Sequence, residues 1–167
     1  MEGKVWVFGD KIDTDNIFPT RFGGDASLEE MAKHIFYDYR PEFAKSVKPG
    51  DIIVAGYNFG CGSYRETAAA GLKALGIKIV IARSFARAFY RNAINSGIWL
   101  ISIRDMDFAC EEGDVFDVEP SLGLITNKVT GKQISGTPLS GIAVDIVEAG
   151  GATSYFKPRV LHPFKVS

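Results

Sequence analysis

Cysteine is scarce: Cys61 and Cys110 are the only two among 167 residues. Two thiols build no disulfide framework, so a reducing, cytoplasmic setting is the expectation. Histidine is equally sparse, and His34 and His162 with those cysteines make no structural zinc site by themselves. An excess of one charge is missing too. The net charge of −1 argues against a nucleic-acid surface and against an acidic disordered tail. The longest apolar runs, "DIIVAG" (51–56) and "IKIVIARSF" (77–85), are strand-sized and too short to span a bilayer. The opening "MEGKVWVFGDK" enters a strand-like run without the pattern of a signal peptide. Repeats, low-complexity tracts and Pro/Ser linkers are also absent. With 46% hydrophobic residues, the chain is expected to fold as one domain over 1–167 with a real core.

What is present is a β/α alternation. "KVWVF" (4–8) reads as a first strand, and 10–26 has loop composition. "SLEEMAKHIFYDY" (27–39) opens with Ser27 and Glu30 at capping-box spacing, then places Leu28, Met31, Ile35 and Phe36 at helical intervals. "GDIIVAG" (50–56) and "IKIVIAR" (77–83) are continuous β-branched runs, the kind a sheet buries on both faces. Between them Ala68, Leu72 and Leu75 mark a helix face that Gly76 stops. A second helix is expected over 84–97, with Ser84 as cap and Gly97 as stop, followed by a strand in "IWLISI". Right-handed crossovers make these strands parallel. Short strands near 115–118, 124–127 and 132–135 suggest a second, mixed layer, and a helix over 138–151 leads to an irregular tail. In such sheets ligands bind beyond the carboxyl ends of the strands. The segments 57–65 and 83–87 lie at that edge.

The densest chemistry is "YNFGCGSYRET" (57–67). Ser63 and Glu66 have the spacing of a capping box. A helix start is also an anion site, Gly60 and Gly62 let backbone amides come close to a ligand, and Arg65 adds a carboxylate-matching fork. Both readings stand together. The glycine spacing is not G-x-G-x-x-G, Arg83 occupies the place of the acidic ribose partner, and G-K-[ST] is missing, so nucleotide binding is disfavoured. Cys61 is read as an inert thiol in preference to a nucleophile. The carboxylates of "DTD" (13–15) suit either turn chemistry or the orientation of an arginine. Arg21, Arg83, Arg87 and Arg91 form a cationic set suited to a di- or tricarboxylate, and His34 is a boundary residue of an amphipathic helix.

Taken in order, "DTDNIFP", "NFGCGSYRE", "ARSFARAFYRNAINSG" and "EAGGATSYFK" resemble the small subunit of 3-isopropylmalate dehydratase and its homoaconitase relatives, the counterpart of the swivelling domain of aconitase. The resemblance runs over nearly the whole chain. It implies an α/β fold, a three-layer β/β/α swivelling domain, docked on a separate large subunit that carries a 4Fe-4S cluster on its own cysteines, with none bound by this chain. It implies a hydro-lyase acting on a small hydroxy acid, in leucine biosynthesis for isopropylmalate, with self-association of the small subunit as a further option. Matched position by position, Ser63 is the general base and Arg65 holds a substrate carboxylate. Gly62 and Tyr64 lie against the substrate, and Asp15, Glu66 and Arg87 support and orient the acting groups.

The chain departs from the family's Ser-Ser-Arg-Glu-His run, because Tyr64 and Thr67 replace the second serine and the histidine. In relatives the loop after the proline sorts substrates, with an arginine for the longer homoaconitate acid. Here that loop is Arg21-Phe22-Gly23-Gly24. Gly24 stands at the sorting place of the aligned Phe22-Gly23-Gly24, and without an arginine there a C2/C3-alkylated malate is expected. Isopropylmalate leads, 2,3-dimethylmalate and homoaconitate are alternatives, and a non-catalytic partner-binding module is the reading from another class.

Overall fold

The computed structural model describes residues 1–24, 27–103 and 110–161. His162 and the end of the expected tail lie outside the described residues. Seven strands form one curled sheet in the order β4-β3-β2-β1-β5-β6-β7. The pivot is β1 (Glu2–Val7). Its second half pairs in parallel with β2 (Ile52–Ala55), Val5 opposite Ile52 and Val7 opposite Val54. Its first half pairs antiparallel with β5 (Val115–Glu119), Gly3 opposite Phe116. One strand thus belongs to two layers. A Cβ on Gly3 would stand 2.1 Å from the Gly50 carbonyl oxygen, so the parting of the layers requires glycine there.

The parallel half continues through β3 (Ile79–Ala82) and β4 (Trp99–Ser102). Every residue of β2 and β3 is buried, which explains their unbroken apolar sequence. The other half runs through β6 (Leu124–Asn127) and β7 (Gln133–Ser135). It is antiparallel throughout, not mixed. In β5 only Phe116 and Val118 are buried, so one face is packed and one is wet. Just past β7, Thr137 exchanges backbone hydrogen bonds of 3.0 and 2.7 Å with Ser102 at the far edge. This contact folds the sheet round on itself.

The helical layer contains α1 (Thr14–Ile17), α2 (Leu28–Lys33), α3 (Phe43–Ser46), α4 (Thr67–Ala74), α5 (Arg87–Asn95), α6 (Ile142–Glu148) and α7 (Ala152–Leu161). Helices α4 and α5 pack together, α2 against α4, and α6 against α5 and α7. The α/β class and its three layers are as expected. Several boundaries differ. The expected 27–39 helix stops at Lys33, and Phe36 takes φ +56°. Its ring is fully buried, stacked 4.4 Å from Phe8, so core packing overrides the helical spacing. Helix α5 starts at Arg87 because Ser84 is occupied elsewhere, its Oγ accepting from the Asn58 amide. The 138–151 helix is shorter, and Gly150 and Gly151 turn the chain at φ +87° and +123° into α7 instead of an irregular tail.

Among the described residues the core includes one acidic or basic side chain. Asp51, 6% exposed, accepts from Trp6 Nε1 at 2.8 Å and from the Lys48 amide at 2.9 Å. Asp51→Ala strands two donors, one of them buried. It is expected to cost about 2 kcal/mol and to lower Tm by roughly 4–8 °C in a thermal melt followed by circular dichroism.

Candidate active site

Beyond the carboxyl ends of β1 and β2 the chain does not enter open loops. It forms an extended seam. Lys11 N donates to the Tyr57 carbonyl, Gly60 N to that of Ile12, and Thr14 N to that of Cys61, each at 2.7 Å. On the other side Phe59 N donates to the Ser84 carbonyl at 3.0 Å, and Ala86 N to that of Phe59 at 2.9 Å. Residues 57–62 are therefore held between 11–14 and 84–86, with Phe59 buried as an anchor. The glycines serve this seam. Gly60 has φ +77°, and its missing Cβ leaves room for the Phe89 ring, whose Cγ would lie 2.1 Å away. Its amide is spent on Ile12, so it is not free for a ligand. A Cβ on Gly62 (φ +99°) would sit 3.2 Å from Thr14 Oγ1.

The seam carries Ser63 to Thr14. The expected Ser63/Glu66 capping box is absent. Helix α4 begins at Thr67, Glu66 occupies its N-cap position in helical conformation, and no side chain caps it. A capping box exists instead at Asp13, whose side chain accepts from the Asn16 amide and whose own amide donates to Asn16 Oδ1. That box starts α1 and turns Thr14 inward, where it is 4% exposed. Thr14 Oγ1 accepts from the Ser63 amide at 3.0 Å and lies 2.9 Å from Ser63 Oγ. Since the threonine oxygen already accepts, its own proton is free to point at the serine.

Arg65 reaches the same oxygen. Its Nε donates to Ser63 Oγ at 3.0 Å and its Nη2 to Asp15 Oδ1 at 2.9 Å. The serine oxygen therefore faces two donors, one of them cationic. The corner stands in the open, with the Arg65 and Asp15 side chains 42% and 59% exposed. Tyr64, between Ser63 and Arg65, is 86% exposed, and its carbonyl accepts from Asn92 of α5 at 3.1 Å.

The other expected residues lie nearby or apart. Arg21 forks onto Asp38 at 2.6 and 2.5 Å and lies over the rings of Phe22 and Tyr37. Asp38 holds the Arg21 guanidinium protonated, and Arg21 draws the Asp38 carboxyl below its ordinary range. Phe22 stacks on His34 at 3.9 Å, whose Nδ1 is 3.0 Å from the Glu30 carbonyl. Gly24 takes φ +81° with open space beside it. Arg87 begins α5 and lines a cavity of about 340 Å³ with Arg83, Tyr90, Arg91 and Ser102, separate from Ser63 and Arg65. Thr14 is the residue at this corner that composition did not single out. Its only sequence signal is a hydroxyl between the two aspartates of "DTD".

The cysteines do not suit an iron–sulfur cluster. Cys61 Sγ donates to the Lys11 carbonyl at 3.5 Å, and burial, with Asp13 nearby, pushes its thiol pKa up. Burial pushes Cys110 up to about 11. Among the described residues no group of three or more His, Cys, Asp or Glu could hold a metal ion. Raised thiols are also the reverse of an activated nucleophile.

Comparison with known proteins identifies the family. A family model for the aconitase C-terminal domain matches residues 9–106. The "Isopropylmalate/citramalate isomerase small subunit" of Methanocaldococcus jannaschii is 47% identical over 160 residues, covering 96% of this chain and 95% of its own. The "3-isopropylmalate dehydratase small subunit" of Lachnospira eligens is 51% identical over 151 residues, covering 90% of each. A crystal structure of 3-isopropylmalate dehydratase (leuD) from M. jannaschii superposes with a TM-score of 0.89 at 41% identity, over 96% of this chain and 95% of that one. The chain belongs to the aconitase C-terminal domain family and, within it, to the small subunits of 3-isopropylmalate dehydratase.

Proposed function

We propose that this chain is a single swivelling domain, the small subunit of a two-chain cytoplasmic hydro-lyase that interconverts 2- and 3-isopropylmalate by dehydration and rehydration in leucine biosynthesis. The observation that carries this reading is the Ser63 hydroxyl set between Thr14 and Arg65. Taking a proton from a carbon next to a carboxylate leaves an enediolate-like anion. The proton goes to Ser63 Oγ, and the electron pair goes into the adjacent carboxylate. A serine hydroxyl ionises far above neutral pH, so it acts as a base only where donors hold the alkoxide. Thr14 and Arg65 Nε are those donors, at 2.9 and 3.0 Å. The guanidinium N–H groups left over by Ser63 and Asp15 receive the substrate carboxylate that gains charge.

The iron–sulfur cluster implied by the family is assigned to the large subunit, in keeping with the cysteines described above, and supplies Lewis-acid chemistry there. This chain binds, orients and moves the proton. Its corner is exposed, and water would weaken every hydrogen bond in it. The large subunit is the surface that closes it. The substrate's third substituent is read as alkyl, because Arg21 is committed to Asp38 and leaves the loop without a free cation for a distal carboxylate.

The test is anaerobic turnover by the co-purified two-subunit complex. With 2-isopropylmalate, citramalate, 2,3-dimethylmalate and homoaconitate compared, kcat/KM is expected to favour the alkyl malates over homoaconitate by about 10²-fold or more, the scale of an unpaired buried charge. Preference for homoaconitate would overturn the substrate assignment. Full turnover by the large subunit alone would instead make this chain a non-catalytic module.

A further inference from the structure

The loop that follows Pro19 does not stand apart from the catalytic corner. Helix α1 presents Asp15 on the turn fixed by the Asp13/Asn16 box. Asp15 Oδ1 receives two donors, Arg65 Nη2 at 2.9 Å and Thr20 Oγ1 at 2.5 Å. Thr20 opens the short 3-10 turn Thr20–Phe22. The rest of that turn is anchored on the far side, through the Arg21 fork on Asp38 and the Phe22 ring on His34. Beyond it a Cβ on Gly23 would stand 3.0 Å from the Thr20 carbonyl oxygen, while Gly24 has open space beside it. The loop is thus fixed at its root by Thr20, Arg21 and Phe22.

A carboxylate held by one donor turns easily about its terminal torsion, which is broad and nearly two-fold. A second donor on the same oxygen removes that freedom, and a β-branched donor with restricted χ1 removes it better. Asp15 is exposed and draws no other side chain among the described residues. Its orientation therefore depends on Thr20 as much as on Arg65. The chain of contacts runs from Thr20 through Asp15 and Arg65 to the Ser63 oxygen.

We propose that Thr20 is a positioning residue, coupling the substrate-facing loop to Arg65 and Ser63 through one shared oxygen of Asp15. The proposal rests on the base assignment given above. A loop displaced by a poorly fitting substrate releases Asp15, tilts the Arg65 fork and lifts its Nε from Ser63. Substrate fit at the loop is then read out as base strength, in kcat more than in KM.

The experiment compares Thr20→Val and Thr20→Ser in the two-subunit complex, with 2-isopropylmalate as the probe. Thr20→Val keeps the shape and removes the donor. It is expected to lower kcat about tenfold, the worth of one charge-assisted hydrogen bond, with KM changed less than twofold. Thr20→Ser restores kcat to within about threefold of wild type, losing only the χ1 restriction. A second readout uses this chain alone. The side-chain Nε–H of Arg65, followed by ¹⁵N–¹H NMR, exchanges with water several times faster in Thr20→Val than in wild type. Unchanged kcat and unchanged Arg65 exchange in Thr20→Val would overturn the coupling, as would a loss confined to KM, which would make Thr20 a direct substrate contact. Ser63→Ala, assayed alongside, separates the two levels. If it is inactive while Thr20→Val behaves as wild type, only the coupling fails. If it is fully active, the base assignment fails first.

Discussion

Ser63→Ala in the two-subunit complex is expected to lower kcat by about 10³-fold or more while leaving substrate affinity within a few-fold of wild type. The replaced oxygen is half-buried and accepts from Arg65 at 3.0 Å, yet it carries none of the fold. Its loss frees Arg65 Nε to water and leaves the Thr14 hydroxyl still accepting from the amide of residue 63. Folding should therefore be unaffected, with Tm within about 2 °C of wild type, as expected for a change of under 0.5 kcal/mol. Affinity survives because Arg65 and the partner still bind the carboxylate. Only the proton acceptor is gone, and it acts in the transition state. Steady-state turnover together with equilibrium dialysis of 2-isopropylmalate separates these effects. A kcat within tenfold of wild type would assign the base elsewhere.

Arg65→Lys is expected to lower kcat/KM by about 10²–10³-fold, the scale of losing an anion-stabilising donor. Lysine keeps the charge, so a point-charge role would leave the enzyme nearly intact. The geometry requires more than charge. Nε reaches Ser63 Oγ while Nη2 reaches Asp15, and the remaining N–H groups lie in the same plane. An ammonium group has no such fixed fork and serves one direction at a time. Both kcat and KM should therefore worsen, unlike the serine variant, where kcat alone falls. Wild-type kinetics in Arg65→Lys would reduce the fork to a charge.

The sequence reveals the scaffold more fully than the site. Runs such as "IIVA" and "IVIA" are legible because burial on both faces leaves one kind of side chain at every position. The layered sheet is only half legible. Nothing local in "EGKVWV" says that its first three residues pair with β5 and its last three with β2. Boundaries failed where a distant group claimed a residue. Ser63 and Glu66 have a helix-start spacing, but Thr14 and Arg65 hold the serine. Ser84 looks like a cap and instead receives the Asn58 amide. Phe36 has the right interval for α2 and goes to the core beside Phe8. In each case a contact of long sequence separation outweighs a local preference worth a fraction of it.

The candidate corner is legible as residue types but not as a set of contacts. Ser63 and Arg65 stand out by type and spacing, and Asp15 by the resemblance to the family's D-T-D turn. The structure adds Thr14, which shares the serine, and Thr20, which shares the aspartate. Both are hydroxyls in polar turns, where threonine ordinarily serves the local backbone. Arg21 shows the opposite case. It stood among the candidates for a substrate carboxylate, and Asp38 holds it.

The most direct test is a crystal structure of the two-subunit complex with 2-isopropylmalate bound. Ser63 Oγ should lie about 3–3.5 Å from the carbon that gives up its proton, the separation of a near-attack geometry. The Arg65 fork should grip the neighbouring carboxylate with Thr14 still on the serine. A substrate seated away from Ser63, or Arg65 paired with a large-subunit side chain in its place, would contradict the account.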